Sequence, residues 1–440
     1  MSQFRLLGTR RFAPLFITQF LGALNDNVYK NAMVIFLAFA LADANGIDSN
    51  LLIVLAGGVF ILPFFLFSAT AGQLADKYDK GRLIRHIKLA EIGIMSGGAI
   101  AFISESLSLL FIILFLMGAQ SSLFGPLKYG ILPEHLSLAE LTGGNGLVQM
   151  GTYIAILGGT IIGGVVIAIN GHGPYLITLV VLCFALVGWL VSRYIPAGKP
   201  ADPAIVIDPN CLRRTWLLLS YCFNHRPLFI AVLGISWFWF LGATFLSLVP
   251  GYARDQLGGN EHVATLLLTA FSLGIGTGSL MCERFSHQTI ELRLVIAGVF
   301  GISLFALDLW LQGTPVIGDG QLTAPAFLQS AAHWRILLDL AGIGLFGGMY
   351  IVPLYALVQY RAAADHRARV IAANNILNAL LMVASALVTM GLVALGASIP
   401  LIFGLIGLGN ILFAVLVLTR LGPLRAHLGN LGRWLPSAVE

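Results

Sequence analysis

Charge is scarce in this chain. Of its 440 residues only 10% are Asp, Glu, Lys or Arg, against about a quarter in an average soluble domain. The four cysteines, Cys183, Cys211, Cys222 and Cys282, are scattered and form no CxxC or Cys/His ligand spacing. A disulfide framework and a zinc site therefore have nothing to rest on. His86, His225, His262, His287, His366 and His427 fall in connections or at helix ends, with no metal pattern. No P-loop is present, so ATP hydrolysis by this chain is not expected. An H-x4-D acyltransferase signature is missing too, since His86 to Glu91 gives H-x4-E, and no nucleophile–base pair replaces it. Nor does any lysine-rich tract with interleaved aromatics suggest nucleic acid. These absences argue against an enzyme, and no cofactor, metal or nucleic-acid partner is expected.

What is abundant is apolar. The chain is 58% hydrophobic and holds 50 glycines, a composition that suits helices packed closely in a bilayer. Windows of about 20 apolar residues mark twelve spans, at 12–40, 51–75, 84–103, 107–132, 143–169, 175–195, 228–250, 261–283, 293–311, 335–359, 370–395 and 399–421. The connections 41–50, 104–106, 170–174 and 396–398 carry no Lys or Arg. The alternate set is basic, with Lys77, Lys80, Arg82, Arg85 and Lys88 in 76–88 and Arg361, Arg367 and Arg369 around 360–369. Segment 192–227 adds Arg193, Lys199, Arg213, Arg214 and Arg226, and the tail adds Arg420, Arg425 and Arg433. The positive-inside rule then puts both termini in the cytoplasm. Arg5, Arg10 and Arg11 precede an apolar run too long for a signal-peptide core, so the first segment reads as a retained helix.

The basic segment 196–227, with Pro196, Pro200, Pro203 and Pro209, divides six spans from six. The expected class is an all-α membrane protein of twelve helices in two six-helix halves, 1–195 and 228–421, with a tail at 422–440. Weak echoes support a repeat. Pro14-Leu-Phe-Ile17 opens span 1 as Pro227-Leu-Phe-Ile230 opens span 7. Phe20-Leu-Gly-Ala23 recurs as Phe240-Leu-Gly-Ala243, and the spacing of Gly118 to Asn145 matches that of Gly347 to Asn374. Two halves built as parallel repeats are expected of major facilitator transporters.

The organising stretch lies in span 1, Phe20-Leu-Gly-Ala-Leu-Asn-Asp-Asn-Val-Tyr-Lys30. Asp26 and Lys30 are four residues apart and share a helix face, with Asn25 and Asn27 flanking the acid. Charges inside a span are costly and normally face a cavity or another helix. Between spans 2 and 3, Gly72-Gln-Leu-Ala-Asp76-Lys-Tyr-Asp-Lys80-Gly81-Arg82 matches G-x-L-a-D-x-x-x-[RK]-[GR]-[RK], a loop pattern of major facilitator proteins. Gly72 would allow close helix approach, and Asp76 would pair with basic residues to latch the inner face. The plainer reading is a basic loop that only sets topology. A counterpart after span 8, Gly278-Ser-Leu-Met-Cys-Glu283-Arg284, is degraded. In span 4, Gly125-Pro-Leu-Lys128-Tyr-Gly-Ile-Leu132 carries Pro126, which should kink or end its helix. Lys128 reads equally as a cation at the inner mouth or as a snorkelling lysine.

Gln19-Phe-Leu-Gly-Ala-Leu-Asn-Asp-Asn27, Gly72-Gln-Leu-Ala-Asp76 with Lys80-Gly-Arg82, Pro126-Leu-Lys-Tyr-Gly-Ile-Leu132 and Trp237-Phe-Trp-Phe-Leu-Gly-Ala243 follow one another along the chain. Together they resemble the bacterial lysophospholipid transporter family of the major facilitator superfamily, over nearly the whole length. Members of that family sometimes carry acyltransferase and acyl-carrier-protein synthetase domains. With no such domain before Glu440, an acylating partner is expected to be a separate protein. The resemblance implies a lysophospholipid flippase of the bacterial inner membrane, moving its substrate from outer to inner leaflet for reacylation. Asn25, Asp26, Asn27, Lys30 and Lys128 are then candidates for substrate binding, and Gly72, Asp76, Lys80, Arg82 and Pro126 for gating.

Glu91 in span 3 and Asp339 in span 10 are isolated acids in apolar runs, read either as ion-coupling groups or as packing groups with one partner each. Asp308 is expected near water at the outer end of span 9. Asn374, Asn375 and Asn378 in span 11 read as packing glue in preference to substrate contacts, and Trp237 to Phe240 as an outer gate or lipid-facing aromatics. A proton- or sodium-coupled exporter of drugs or metabolites remains the alternative function, with Asp26, Glu91 and Asp339 carrying the ion.

Overall fold

Helix starts and stops are written into the connections. Asp79 accepts hydrogen bonds from the backbone N–H groups of Gly81 (2.8 Å) and Arg82 (3.4 Å), Ser106 from that of Leu109, and Asn260 from those of His262 and Val263. Ser137 and Glu140 form a capping box. Pro14, Pro174 and Pro227 occupy first turns, where a missing N–H costs nothing. Gly171, Gly258 and Gly396 turn the chain at φ +70°, +61° and +82°, a region open mainly to glycine.

A computed structural model of the chain describes residues 3–37, 49–208, 210–287, 289–312 and 322–420. Its long helices are α1 (Ala13–Phe36), α2 (Ser49–Lys77), α3 (Lys80–Ile103), α4 (Leu107–Gly130), α5 (Leu138–Ile167) and α6 (Gly173–Ser192), followed by α7 (Arg226–Gly251), α8 (Glu261–Ser286), α9 (Arg293–Leu311), α10 (Ala331–Arg361), α11 (Arg367–Ala394) and α12 (Ile399–Arg420). Eleven of these, α2 to α12, are long and apolar enough to cross a membrane. The remaining one, α1, is 24 residues long but diluted by Asn25, Asp26, Asn27, Lys30 and Asn31. Among the described residues there is no β-strand. Residues 41–48 of the connection 41–50 and the tail 422–440 lie outside the described residues.

The packing of the first six helices repeats in the last six. α1 lies on α5 as α7 lies on α11, α2 on α4 as α8 on α10, and α3 on α6 as α9 on α12. The two sets meet along α2–α11 and α5–α8. Glycines set the closest crossings. A Cβ on Gly159 or Gly163 of α5 would lie 2.7 Å from the Leu24 carbonyl oxygen or 2.6 Å from that of Val28 in α1. Gly274 and Gly278 of α8 and Gly344 and Gly348 of α10 likewise face each other's backbone with no room for a side chain. Bare backbone at such crossings lets helices approach closely where lipid supplies no hydrophobic drive.

The segment between the halves is more structured than its prolines suggested. Residues Cys211–Asn224 form a helix, started by Asn210 and packed on α2, α7 and α11. Ahead of it the chain is strapped to the ends of α2 and α3. The Asp202 N–H donates to the Asp76 carbonyl (2.8 Å), Lys77 Nζ to the Ile205 carbonyl (2.9 Å), and the Asp208 N–H to Gln73 Oε1 (3.0 Å).

Candidate functional site

At the end of the bundle that carries the basic connections, the two halves are locked together. Asp76, with no exposed surface, accepts from Arg369 Nε at 3.0 Å and from the backbone N–H groups of Ala368 and Arg369. Arg369 also reaches Asp202 (3.2 Å). A Cβ on Gly72 would lie 2.9 Å from Arg369 Cα, so this glycine lets α2 touch α11. Lys80 is 2% exposed and pairs with Glu134 at 2.6 Å, a contact within the first half that braces the start of α3. Arg82 stays exposed and outside this set. On the α5–α8 side the Gln3 N–H donates to Glu283 (2.8 Å), so the degraded motif, which forms the last turns of α8, still carries a cross-half contact. Deeper in, Asn145 and Gln359 exchange amide hydrogen bonds at 2.6 and 3.1 Å. Tyr129 stacks on Tyr355 with ring centres 4.2 Å apart. Pro126 is buried, and α4 runs four residues past it to Gly130 before breaking at Ile131.

Above the tyrosine pair lies a cavity of about 250 Å³. Asp26 and Lys128 both line it, together with Gln19, Ser121, Thr152 and Lys88. Asp26 takes a hydrogen bond from the Ser121 hydroxyl. Lys128 Nζ donates to Thr152 Oγ1 at 2.9 Å and lies 5.0 Å over the Tyr129 ring. No ion pair among the described residues joins Asp26 to Lys30 or to Lys128. Lys30 instead sits 5.7 Å over the Phe60 ring. Asn25 is buried and donates to Glu91 (3.1 Å), while Asn27 faces α5, bonded to its own helix at Ala23. Of the five candidate binding residues, the fold brings Asp26 and Lys128 to the cavity and leaves the other three behind it.

Two expectations change here. Lys88 is not part of a wet basic connection; it is 1% exposed inside α3 and pairs with Glu91. Glu91 is correspondingly not isolated, since Asn25 and Gln120 (2.9 Å) also donate to it. A three-residue spacing on one helix face was the signal for this pair, hidden because Lys88 ends a run of basic residues. Asp339 lies away from the cavity, bonded by Gln312, beside an Asp308–Arg335 pair that leaves Asp308 partly covered. The four aromatics of α7 divide. Trp239 lines the cavity and Phe238 is core, while Trp237 stacks on Phe413 and donates to Asn410 (2.9 Å).

The apolar part of the lining comes largely from α2 and α11: Phe60, Ile61, Phe64, Ala379 and Met382, with Phe124 of α4. Twelve long helices in two repeated sets, locked at one end around a central half-polar cavity, describe a multi-pass membrane transporter rather than an enzyme. The chain belongs to the major facilitator superfamily, whose model matches residues 15–386. It is similar to the lysophospholipid transporter LplT of Serratia proteamaculans, 27% identical over 69% of each chain. To LplT of Escherichia coli O157:H7 it is 28% identical over 81% of each chain. Among solved structures, the human organic anion transporter MFSD10 superposes with a TM-score of 0.71 at 16% identity, covering 93% of this chain and 99% of that one. The transporter FucP in its outward conformation gives a TM-score of 0.66 at 15% identity, covering 92% and 98%. At these identities the structural likeness speaks for the fold alone.

Proposed function

We propose that this protein moves lysophospholipids from the outer to the inner leaflet of a bacterial inner membrane, where a separate acyltransferase restores the second chain. The observation that carries the reading is the division of the cavity wall. Asp26 and Lys128 stand on the charged side, and aromatic and aliphatic side chains of α2 and α11 form the other. A lysophospholipid has matching parts: a phosphate, often an ammonium, and one acyl chain. Lys128, Thr152 and the Gln19 amide nitrogen, which is buried without a partner among the described residues, form a cradle for the phosphate. Lys88 is already neutralised by Glu91. Asp26 complements an ethanolamine ammonium. The acyl chain stays on the apolar face, avoiding transfer into water at about 0.8 kcal/mol per CH₂.

Alternating access follows from the same contacts. The Asp76–Arg369, Gln3–Glu283 and Asn145–Gln359 contacts form the closed gate, with both termini and the basic connections in the cytoplasm. Rocking the halves about the cavity would part these contacts and release substrate inward. The similarity to two proteins called lysophospholipid transporters supports this reading over an ion-coupled exporter.

The test is flipping of labelled lysophosphatidylethanolamine in proteoliposomes, with diacyl lipid and Asp26→Ala alongside. Fast, lysolipid-selective, Asp26-dependent movement that ignores protonophores is expected. Movement no faster than in empty liposomes, or uptake of small molecules driven by a pH gradient, would overturn it.

A further inference from the structure

The two halves do not contribute alike to the cavity. Its charges, Asp26, Lys88 and Lys128, come from the first six helices, whereas the last six offer neutral polar groups, Trp239, Tyr355, Asn375 and Asn378. Asn378 acts as glue: the Ser236 hydroxyl donates to its Oδ1 at 2.8 Å, joining α7 to α11. Asn375 does not. It is 8% exposed, and its Nδ2 has no hydrogen-bond partner among the described residues. Buried donors are nearly always paired because leaving one unpaired is costly, so an amide kept only for helix packing should be bonded. A Cβ on Gly125 would collide with this same amide, which fixes the donor against α4 one turn before Lys128 on the same helix face.

We propose that Asn375 reads the free glycerol hydroxyl of a lysophospholipid and thereby sets the preference for one acyl chain over two. The assignment rests on the lysophospholipid reading above. In a lysophospholipid acylated on the end carbon of glycerol, the central carbon bearing the hydroxyl adjoins the carbon bearing the phosphate ester. A phosphate held by Lys128 and Thr152 therefore brings that hydroxyl beside the Gly125 face, where Asn375 Nδ2 donates to it. In a diacyl lipid an ester oxygen replaces the hydroxyl and drives a second chain against the Asn375–Gly125 contact, where the amide already lies on the glycine. A site built around a hydroxyl also rejects an analogue that merely lacks it, because its own polar group is then left unpaired.

The experiment compares three lipids of one head group in proteoliposomes: a lysophosphatidylethanolamine, its 2-deoxy analogue and the diacyl form. The wild-type protein should move the lysolipid about 10- to 100-fold faster than the deoxy analogue. Asn375→Leu, close in shape but without the donor, should move both at the slower rate, while Asn375→Ser should recover part of the difference. Equal wild-type rates for lysolipid and deoxy analogue would overturn this assignment alone, and need no variant to fold. An unchanged rate ratio in Asn375→Leu would do the same. Failure of the wild type to move any of the three would overturn the lysophospholipid reading, and this assignment with it.

Discussion

Asp76 closes the N-terminus of a helix in the other half of the molecule: its carboxylate accepts from the backbone N–H groups of Ala368 and Arg369, 3.2 and 3.3 Å away, and from Arg369 Nε. The first turn of α11 leaves N–H groups unsatisfied and carries the positive end of its dipole, so a carboxylate there is favoured twice over. Gly72, one turn earlier on α2, permits the approach.

Breaking this contact should therefore open the basic end of the bundle. Arg369→Ala leaves Asp76 buried without its cation, a loss of about 3 kcal/mol for a pair of this kind. Asp76→Asn keeps part of the hydrogen bonding and should cost less. Spin labels at Arg82 and Arg284, exposed sites on opposite halves, report the change. Electron–electron resonance should give one short distance in the parent and a broadened, longer distribution in Arg369→Ala. Identical distributions would refute a latch.

The Lys88–Glu91 pair makes a second, separable prediction. Both side chains are 1% exposed, so removing one partner strands a charge. Lys88→Met and Glu91→Gln should each lower stability by roughly 3–5 kcal/mol, while the double variant should recover most of it. Thermal unfolding in detergent measures the cycle. Lysolipid flipping restored in the double variant would make Glu91 a structural group. Flipping still absent from a stable double variant would return Glu91 to the ion-coupling candidates.

What could be read in advance follows from what a single helix can show. Asp26 interrupts a long apolar run, so its polar face was visible, and its place at the cavity followed. Asp76 was visible as part of a pattern, but Arg369 stands 293 positions away, and no local spacing reports such a contact. The loop pattern suggested Arg82 as a latch member, yet the position points outward. Lys88 was assigned to a basic connection because a hydropathy window cannot tell where water ends along a charged helix start. The helix Cys211–Asn224 was missed because the prolines before it obscured its one-sided apolar pattern.

Glycine at Gly278 is a test of the second half's geometry. A Cβ there would overlap the backbone of Leu345 in α10, and neither backbone can move aside as a flexible side chain would. Gly278→Ala should destabilise by about 1–3 kcal/mol, with lower yield and an earlier thermal transition. Gly57, where a Cβ would meet nothing within 4 Å among the described residues, serves as the control, and Gly57→Ala should lower neither.

The strap ahead of the Cys211–Asn224 helix ties the gate to the connection between the halves. Asp202 bonds twice, through its N–H to the Asp76 carbonyl and through its carboxylate to Arg369 (3.2 Å), and Lys77 holds the Ile205 carbonyl. Each side-chain contact should contribute on the order of 1 kcal/mol. Lys199 lies just ahead of the strap contacts, is exposed and is followed by Pro200, so cleavage by a protease that cuts on the amino side of lysine reads how often the strap lifts. Asp202→Ala should raise the cleavage rate about fivefold. Lys77→Ala should act similarly, and the pair together should act more strongly. If instead the rate is the same in all variants, the strap is held by its backbone bonds alone. Gate opening would then not require it to move.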